Sequence, residues 1–200
     1  YQKVKKEIHV FDLSTQTYRL SGSEVDEELK RLLKYSNPTE KFAALRASSQ
    51  PQAQFLWSIF RDLFHYCAVQ LESIADNARD LDLAVRWGFG WNQGPFEIWQ
   101  AAGWKQIASW IQEDISAGKT MSQAPLPQWV MAIADSDTQS VHTAQGSFAP
   151  TSGKPQLRSE LPVYQRQLFP DRLIGEQATY GETIFETDAV RMWHTGDQIA

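Results

Sequence analysis

The segment of residues 80–103, DLDLAVRWGFGWNQGPFEIWQAAG, places two helical patterns on either side of a glycine-rich turn. Asp80 and Asp82 stand where the first turn of a helix is expected, and acidic side chains there favour the positive end of the helix dipole. Gly88 is placed to end this helix, and Pro95 suits the first turn of the next one. Three apolar residues of the first helix are predicted to face the core: Leu81, Ala84 and Val85.

The same segment is rich in aromatic residues, five of which fall between positions 87 and 99: Trp87, Phe89, Trp91, Phe96 and Trp99. A solvated loop rarely exposes so many large rings, so we expect them to be buried. Phe96 is predicted to be buried at the start of the second helix. Trp91 is predicted to pack against a long helix that ends near residue 74.

This segment resembles the C-terminal helical domain of 3-hydroxyacyl-CoA dehydrogenases, in which an acidic residue precedes the motif G-x-G-x-x-x-GPFE. The matching residues are Asp82, Gly88, Gly90, Gly94, Pro95, Phe96, Glu97, Ile98 and Gly103. Gln100 departs from the aspartate that the family usually has there. The resemblance implies a mainly α fold, a helical bundle of that type with small β hairpins and an extended C-terminal tail. It also implies a motif that is structural and forms a domain interface, through Gly88, Phe89, Gly90, Trp91, Gly94, Pro95, Phe96, Glu97 and Trp99.

The glycines of the motif also resemble a dinucleotide-binding fingerprint. Gly88, Gly90 and Gly94 read G-x-G-x-x-x-G, which is one residue longer than that fingerprint. A dinucleotide site needs its glycines between a β-strand and a helix, whereas these glycines follow a predicted helix. We therefore interpret them as tight backbone turns packed under aromatic rings.

Composition limits the classes of partner. The chain has 200 residues, 42% of them hydrophobic, which is enough for a sizeable core. Its net charge of −5 gives no broad basic field, so neither nucleic acid nor an anionic membrane surface is expected as a partner. No apolar run is long enough to predict a membrane span. With no signal peptide and with Cys67 alone on an apolar helix face, we expect a cytoplasmic protein without disulfides.

The remaining pattern divides the chain into four parts. Residues 1–22 are predicted to form a linker or hairpin, and residues 23–135 a helical domain. The longest helix is predicted from Pro51 to about Ile74, and its apolar stripe at spacings of three and four places it at the centre of the bundle. A short helix capped by Thr39 precedes it, and helices at 104–117 and after Pro127 follow it.

The last third of the chain is less regular. Residues 136–182 are predicted to be an irregular linker in which residues 141–148 and a turn at 152–155 can form a small hairpin. Residues 161–172 form a proline- and aromatic-rich part of this linker. Residues 183–200 have strand-like positions at Ile184, Val190, Met192 and Ile199, and resemble the lead-in to a truncated enoyl-CoA hydratase domain.

No residue pattern predicts a catalytic or metal site. The four histidines, His9, His65, His142 and His194, are isolated in sequence and do not have metal-ligand spacing. His65 is expected to be hydrogen-bonded or on the surface. Helix capping and dipole effects explain the acidic residues Asp76, Asp80, Asp82, Glu97, Glu113 and Asp114. In the family that the chain resembles, the catalytic and nicotinamide sites lie in a preceding Rossmann domain, so no catalytic or cofactor-binding residue is assigned here.

Two functional hypotheses follow. In the first, the chain is the central, non-catalytic helical domain of a fused 3-hydroxyacyl-CoA dehydrogenase and enoyl-CoA hydratase of fatty-acid β-oxidation, and the parent enzyme uses NAD. The partners would then be the Rossmann, first helical and hydratase domains of that parent, and the isolated chain would self-associate through exposed apolar surface. In the second, it is a free-standing helical protein-interaction module. The start at Tyr1 and the stop at Ala200 favour a piece of a longer protein.

Overall fold

A computed structural model describes residues 1–22, 24–157, 182–187, 191–195 and 198–199. The fold of these residues is mainly helical, with three small antiparallel sheets, as predicted. The helices are α1 (Glu27–Leu33), α2 (Pro38–Ala47), α3 (Pro51–Ile74), α4 (Ala78–Phe89), α5 (Pro95–Ser116) and α6 (Gln128–Ala134). The strands are β1 (Gln2–Val4), β2 (Glu7–Asp12), β3 (Thr17–Leu20), β4 (His142–Thr143), β5 (Gly146–Ala149), β6 (Lys154–Gln156), β7 (Glu182–Glu186), β8 (Arg191–Thr195) and β9 (Gln198–Ile199).

Each sheet has three antiparallel strands in sequence order. Sheet β1–β3 lies where a linker or hairpin was predicted, and strands β5 and β6 of sheet β4–β6 form a hairpin near the turn predicted at 152–155. The tail, predicted to be extended with strand-like positions, forms sheet β7–β9. Val190 and the linker predicted at residues 161–172 lie outside the described residues.

The long helix α3 has the predicted bounds, and it begins at a proline in the position where the missing N–H does no harm. The cap of α2 was predicted incorrectly. Asn37, not Thr39, is the N-cap residue, and its side chain accepts a hydrogen bond from the backbone N–H of Thr39 at 2.9 Å. Asparagine directly before a proline is well suited to this position, because its side-chain carbonyl oxygen can accept hydrogen bonds from the free backbone N–H groups of the first turn.

The end of helix α4 also differs from the prediction. Gly88 lies within the helix, and Gly90 is the residue that adopts the left-handed conformation at its end, with φ of 68°. The predicted inward face is only partly correct. Leu81 is buried and Val85 is partly buried, whereas Ala84 is exposed.

Helix α5 contains the two helices that were predicted, one before and one after Gly103, joined by a kink. It bends at Gly103, whose φ of 100° and ψ of 95° are not helical. A positive φ of this size strains residues that carry a Cβ atom, so a glycine is favoured at the bend. The bend brings the rings of Trp99 and Trp104 into a stack with centroids 4.2 Å apart, and the Trp99 indole donates a hydrogen bond to the Trp104 carbonyl at 3.0 Å.

The main core lies where α3 and α5 cross. Phe64 of α3 stacks on Trp99 of α5 with ring centroids 5.5 Å apart, and both side chains are fully buried. Phe96 packs beside Trp99 and is also fully buried, as predicted. A smaller cluster of Leu29, Leu32, Leu45 and Ala53 joins α1 and α2 to the start of α3. The start of α5 therefore lies inside the larger of the two hydrophobic clusters that the described residues form.

Candidate functional site

Asp82 is the centre of the buried polar groups at the turn between α4 and α5. Its side chain is fully buried, and its two carboxylate oxygens accept hydrogen bonds from the backbone N–H groups of Phe96 and Glu97, each at 2.9 Å. The first N–H groups of a helix have no partner within the helix itself. Asp82 supplies that partner for α5 from a different helix, so the predicted role of Asp82 at the dipole of α4 is wrong.

Gly94 is the residue that lets Asp82 come so close. A Cβ atom at position 94 would lie 2.3 Å from the Cβ atom of Asp82, a distance at which something must shift. The backbone N–H of Gly94 donates to the Glu97 carboxylate at 2.8 Å, which completes a capping arrangement around Pro95. The glycine, proline and glutamate of the motif thus each have a structural reason for their position.

His142 extends this group of hydrogen bonds to the sheet β4–β6. Its Nε2 atom lies 2.8 Å from the Asp82 carboxylate, and its Nδ1 atom lies 2.8 Å from the hydroxyl oxygen of Ser147. An ionised carboxylate can only accept, so Nε2 carries the proton that is donated to Asp82. In a neutral ring Nδ1 then accepts from the Ser147 hydroxyl.

The order Asp82, His142, Ser147 has the connectivity of a catalytic serine triad. The burial of the three residues argues against that chemistry. Asp82 is fully buried, and His142 and Ser147 are each 1% exposed. A nucleophilic serine must reach the substrate, so a hydroxyl enclosed in this way does not act as one. The three residues instead link the sheet β4–β6 to the turn between α4 and α5.

Gln100 makes the second link to the same sheet. Its side-chain oxygen accepts hydrogen bonds from the backbone N–H groups of Val141 and His142, at 2.8 and 2.9 Å. Its side-chain nitrogen donates to the carbonyl of His142 at 3.0 Å. An ionised aspartate could accept the two bonds but could not donate the third, so the glutamine that departs from the family pattern has a role of its own.

Comparison with known proteins finds two enzymes that are similar to this chain. A probable 3-hydroxyacyl-CoA dehydrogenase of Bacillus subtilis (strain 168) is 30% identical over 142 residues, which cover 71% of this chain and 17% of that protein. A putative fatty acid oxidation complex trifunctional enzyme of Rickettsia felis is 26% identical over 132 residues, 64% of this chain and 15% of that protein. The chain is a homologue of part of a 3-hydroxyacyl-CoA dehydrogenase. No family model and no solved structure matches it significantly.

The turn of this dehydrogenase homologue does not fit the phosphates of NAD. In a dinucleotide site the pyrophosphate binds at a helix N-terminus, on free N–H groups. Here the carboxylate of Asp82 already occupies that position on α5, and it would repel a phosphate. Gly88, Gly90 and Gly94 follow helix α4, and the strands that the structure describes are paired in antiparallel fashion only. No βαβ unit is therefore available in this part of the chain.

Within the described ranges, no three histidine, cysteine or acidic side chains lie close enough together to hold a metal ion. His65 is buried, and its Nε2 atom lies 2.8 Å from the carbonyl oxygen of Ala124, so the expected hydrogen bond is present. No helix in the described part of the chain is long and apolar enough to cross a membrane.

The aromatic residues of the motif separate into two groups. Phe96 and Trp99 are fully buried in the core. Trp87, Phe89 and Trp91 are exposed by 62%, 76% and 38%. The prediction that all five rings are buried is wrong for these three. Trp99 also cannot contribute to an exposed interface, whereas Phe89 and Trp91 can.

Exposed apolar residues continue from Phe89 onto α3, although the whole apolar stripe of α3 was predicted to face inward. The exposed members on α3 are Phe55, Ile59, Tyr66 and Ile74. A groove of about 770 Å³, which we name the α3–α4 groove, runs between the C-terminal half of α3 and helix α4, and Phe89 and Tyr66 line it. A second cavity of about 500 Å³ lies on the other side of Leu63 and Tyr66 and reaches Met121. Together these surfaces form an apolar face, which we name the α3–α4 face.

Asp114 belongs to a separate, buried ion-pair network. It accepts hydrogen bonds from Arg46 at 3.1 Å, from Arg61 at 3.3 Å and from the Trp57 indole at 3.0 Å. Burial opposes ionisation of this carboxyl, but the bonds from Trp57, Arg46 and Arg61 outweigh it and hold the pKa of Asp114 below its usual value. The capping explanation offered for this acid is wrong, because it lies near the C-terminus of α5, where the dipole disfavours negative charge.

Both arginines of this network are paired with acidic side chains. Arg61 also bonds the Asp62 carboxylate at 2.9 Å and the carbonyl of Lys119 at 2.7 Å. Arg46 pairs with Glu113, and its guanidinium lies over the ring of Trp57, 5.6 Å from the centroid. A cavity of about 490 Å³ opens beside these groups. Because each arginine already pairs with acidic side chains, we interpret the network as a structural contact that holds α2, α3 and α5 together.

Proposed function

We propose that the chain is a non-catalytic helical domain of a 3-hydroxyacyl-CoA dehydrogenase, and that it acts as a scaffold or pseudo-dimer surface. The parent enzyme would oxidise L-3-hydroxyacyl-CoA with NAD in fatty-acid β-oxidation, using residues outside this chain. The two relatives, a probable 3-hydroxyacyl-CoA dehydrogenase and a putative trifunctional enzyme of fatty acid oxidation, support this assignment. The chain spans about 17% and 15% of the length of those relatives, which supports a role as one part of a larger protein.

One observation carries the non-catalytic part of the proposal. The polar groups of the motif satisfy one another inside the protein: Asp82 caps α5, Glu97 bonds Gly94, and His142 joins Asp82 to Ser147. A catalytic acid or base must be within reach of the substrate. These groups are buried, so their chemistry serves the fold.

The exposed α3–α4 face supports the proposal that the chain acts as a scaffold. Single exposed apolar residues are normal on protein surfaces, but a continuous apolar face is typical of a contact site. We propose that Phe89 and Trp91 cover a neighbouring domain of the parent enzyme, with the Rossmann, first helical and hydratase domains as candidates. Trp99 has no part in this contact, because it is fully buried.

A free-standing interaction module would use the same face. The exposure of Phe89, at 76%, is the observation that favours it. The two homologous enzymes favour a domain of a dehydrogenase. The two hypotheses differ in what covers the face: other domains of one enzyme, or an unrelated protein.

The experiment is analytical ultracentrifugation of the chain over a wide concentration range. An uncovered apolar face should produce a weak dimer at high concentration, which Phe89→Glu or Trp91→Glu should weaken further. Leu13→Glu is the matched control, because Leu13 is 79% exposed but lies between β2 and β3. A strict monomer of 22.8 kDa at the highest concentration would count against the docking face.

A further inference from the structure

The α3–α4 groove has apolar walls and a buried floor. Exposed or partly exposed side chains of Tyr66, Ile74, Val85 and Phe89 form its walls, and Cys67, which is 4% exposed, lies at its floor. The part of α3 from Leu63 to Ile74 lines it, and at 1.5 Å per residue this part is about 16 Å long, or about three helical turns. That length accommodates the apolar anchors of a helix spaced at i, i+4 and i+7.

One end of the groove is acidic. Glu72 and Asp76, near the end of α3, and Asp80, in the first turn of α4, line this end, and all three are exposed. The described residues that line the groove include no lysine and no arginine. Burial and the neighbouring charge of Asp76 raise the pKa of the Asp80 carboxyl, and they outweigh the charge of Arg79 and a hydrogen bond from Asn77, which lower it. Such an end attracts a cationic group.

We propose that the α3–α4 groove binds an amphipathic helix of the parent enzyme that carries a lysine or arginine at the end facing Glu72, Asp76 and Asp80. This inference rests on the proposed docking role and specifies the occupant. Apolar side chains of the incoming helix fill the space between Tyr66 and Phe89. Its basic residue lies against the acidic end and fixes the direction of the helix.

A second copy of the chain is a poorer occupant. If two copies paired groove to groove, neither would bring a basic side chain from its groove to the acidic end of the other. The carboxylates of Glu72, Asp76 and Asp80 would then gain no cationic partner from the second copy. Self-association through Phe89 and Trp91 is accordingly expected to be weak.

The test uses the full 200-residue chain and two synthetic, fluorescently labelled helical peptides. Both peptides carry leucines at i, i+4 and i+7; one ends in lysines and the other in glutamates. Fluorescence anisotropy is measured at chain concentrations where sedimentation shows a monomer. We expect the lysine peptide to bind at least about tenfold tighter than the glutamate peptide, because only the first places opposite charges at the acidic end.

Three variants locate the binding. Glu72→Gln with Asp76→Asn should weaken the lysine peptide by about tenfold, whereas Glu24→Gln with Glu40→Gln changes the net charge equally, elsewhere, and should have no effect. Ala84→Trp should block the groove; Ala84 is exposed on α4, so the larger ring does not enter the core. Circular dichroism checks that each variant is folded.

The inference is overturned if the two peptides bind alike, or if the Glu72/Asp76 variant binds the lysine peptide as tightly as the Glu24/Glu40 control does. It is also overturned if Ala84→Trp leaves the affinity unchanged. In any of these cases, the proposed docking role would still be supported if sedimentation showed a dimer that Phe89→Glu weakens. Failure of the groove to bind the peptide can therefore be distinguished from failure of the docking role.

Discussion

The Asp82 carboxylate accepts a hydrogen bond from Nε2 of His142 at 2.8 Å, although the residues are 60 positions apart and both side chains are fully buried. This bond connects the start of α5 to the sheet β4–β6. A buried charged or polar group that loses its partner is strongly destabilising, because the remaining group stays unsatisfied. The pair should therefore behave as one unit when it is mutated.

A double-mutant cycle tests that coupling. Asp82→Ala and His142→Ala should each lower the free energy of unfolding by about 3 to 5 kcal/mol, and the double variant should lose less than the sum. Urea denaturation of the four proteins gives the coupling energy. Asp135→Ala, which removes an exposed acid, is the control and should change stability by less than about 0.5 kcal/mol. Additive losses from Asp82 and His142 would contradict a direct bond.

Two glycines of the motif should respond to alanine in opposite ways. Gly94→Ala should destabilise the protein by about 1 to 3 kcal/mol or more, because the new Cβ atom would overlap Asp82. Gly88→Ala should stabilise it by about 0.5 to 1 kcal/mol, since Gly88 lies within a helix and nothing is within 4 Å of its Cβ position. Thermal denaturation compares the two. Equal effects would show that the close approach of Asp82 does not occur.

Phe96 tests the aromatic core at the start of α5. The side chain is fully buried against Trp99 and Trp104, so Phe96→Ala should lower stability by about 3 to 5 kcal/mol. Denaturant unfolding measures the loss. A shift of less than about 1 kcal/mol would mean that this ring is not packed as described.

Local sequence signals predicted the helices well. Pro51 and Pro95 mark helix starts because proline lacks the N–H that a first helical turn leaves unused. The bounds of α3 and the start of α5 follow from that local chemistry. Helix α4 was predicted to end at Gly88, but its C-cap is Gly90. Either glycine can adopt the left-handed conformation, and only the packing of the turn selects between them.

The buried polar link was not predicted, because it depends on contacts between distant segments. One signal could have found part of it. Within the sheet β4–β6, His142 pairs directly with Ser147 across the strands, only five residues along the chain, which brings the two side chains together. The contact of His142 with Asp82 has no local signal. The exposure of Trp87, Phe89 and Trp91 also has none, since hydrophobic character alone does not separate a core from a docking face.

The Asp114 network predicts how stability depends on pH. Because the pKa of Asp114 is lowered in the folded state, its ionised form stabilises the fold above the unfolded pKa, and that contribution is lost as the pH falls through the folded pKa. The difference in unfolding free energy between the wild type and Asp114→Asn should therefore shrink on going from pH 6 to pH 3. Urea denaturation at both values measures it. A difference that stays constant or grows would contradict the lowered pKa.

The most direct test of the account is a calorimetric titration of the purified chain with NAD, followed by an assay of NADH production from 3-hydroxybutyryl-CoA. Asp82 occupies the anion-binding position of α5, and no βαβ unit occurs among the described residues. A non-catalytic helical domain should give no saturable heat of binding and no NADH. Saturable binding of NAD, or NADH formed by the chain alone, would contradict a non-catalytic helical domain.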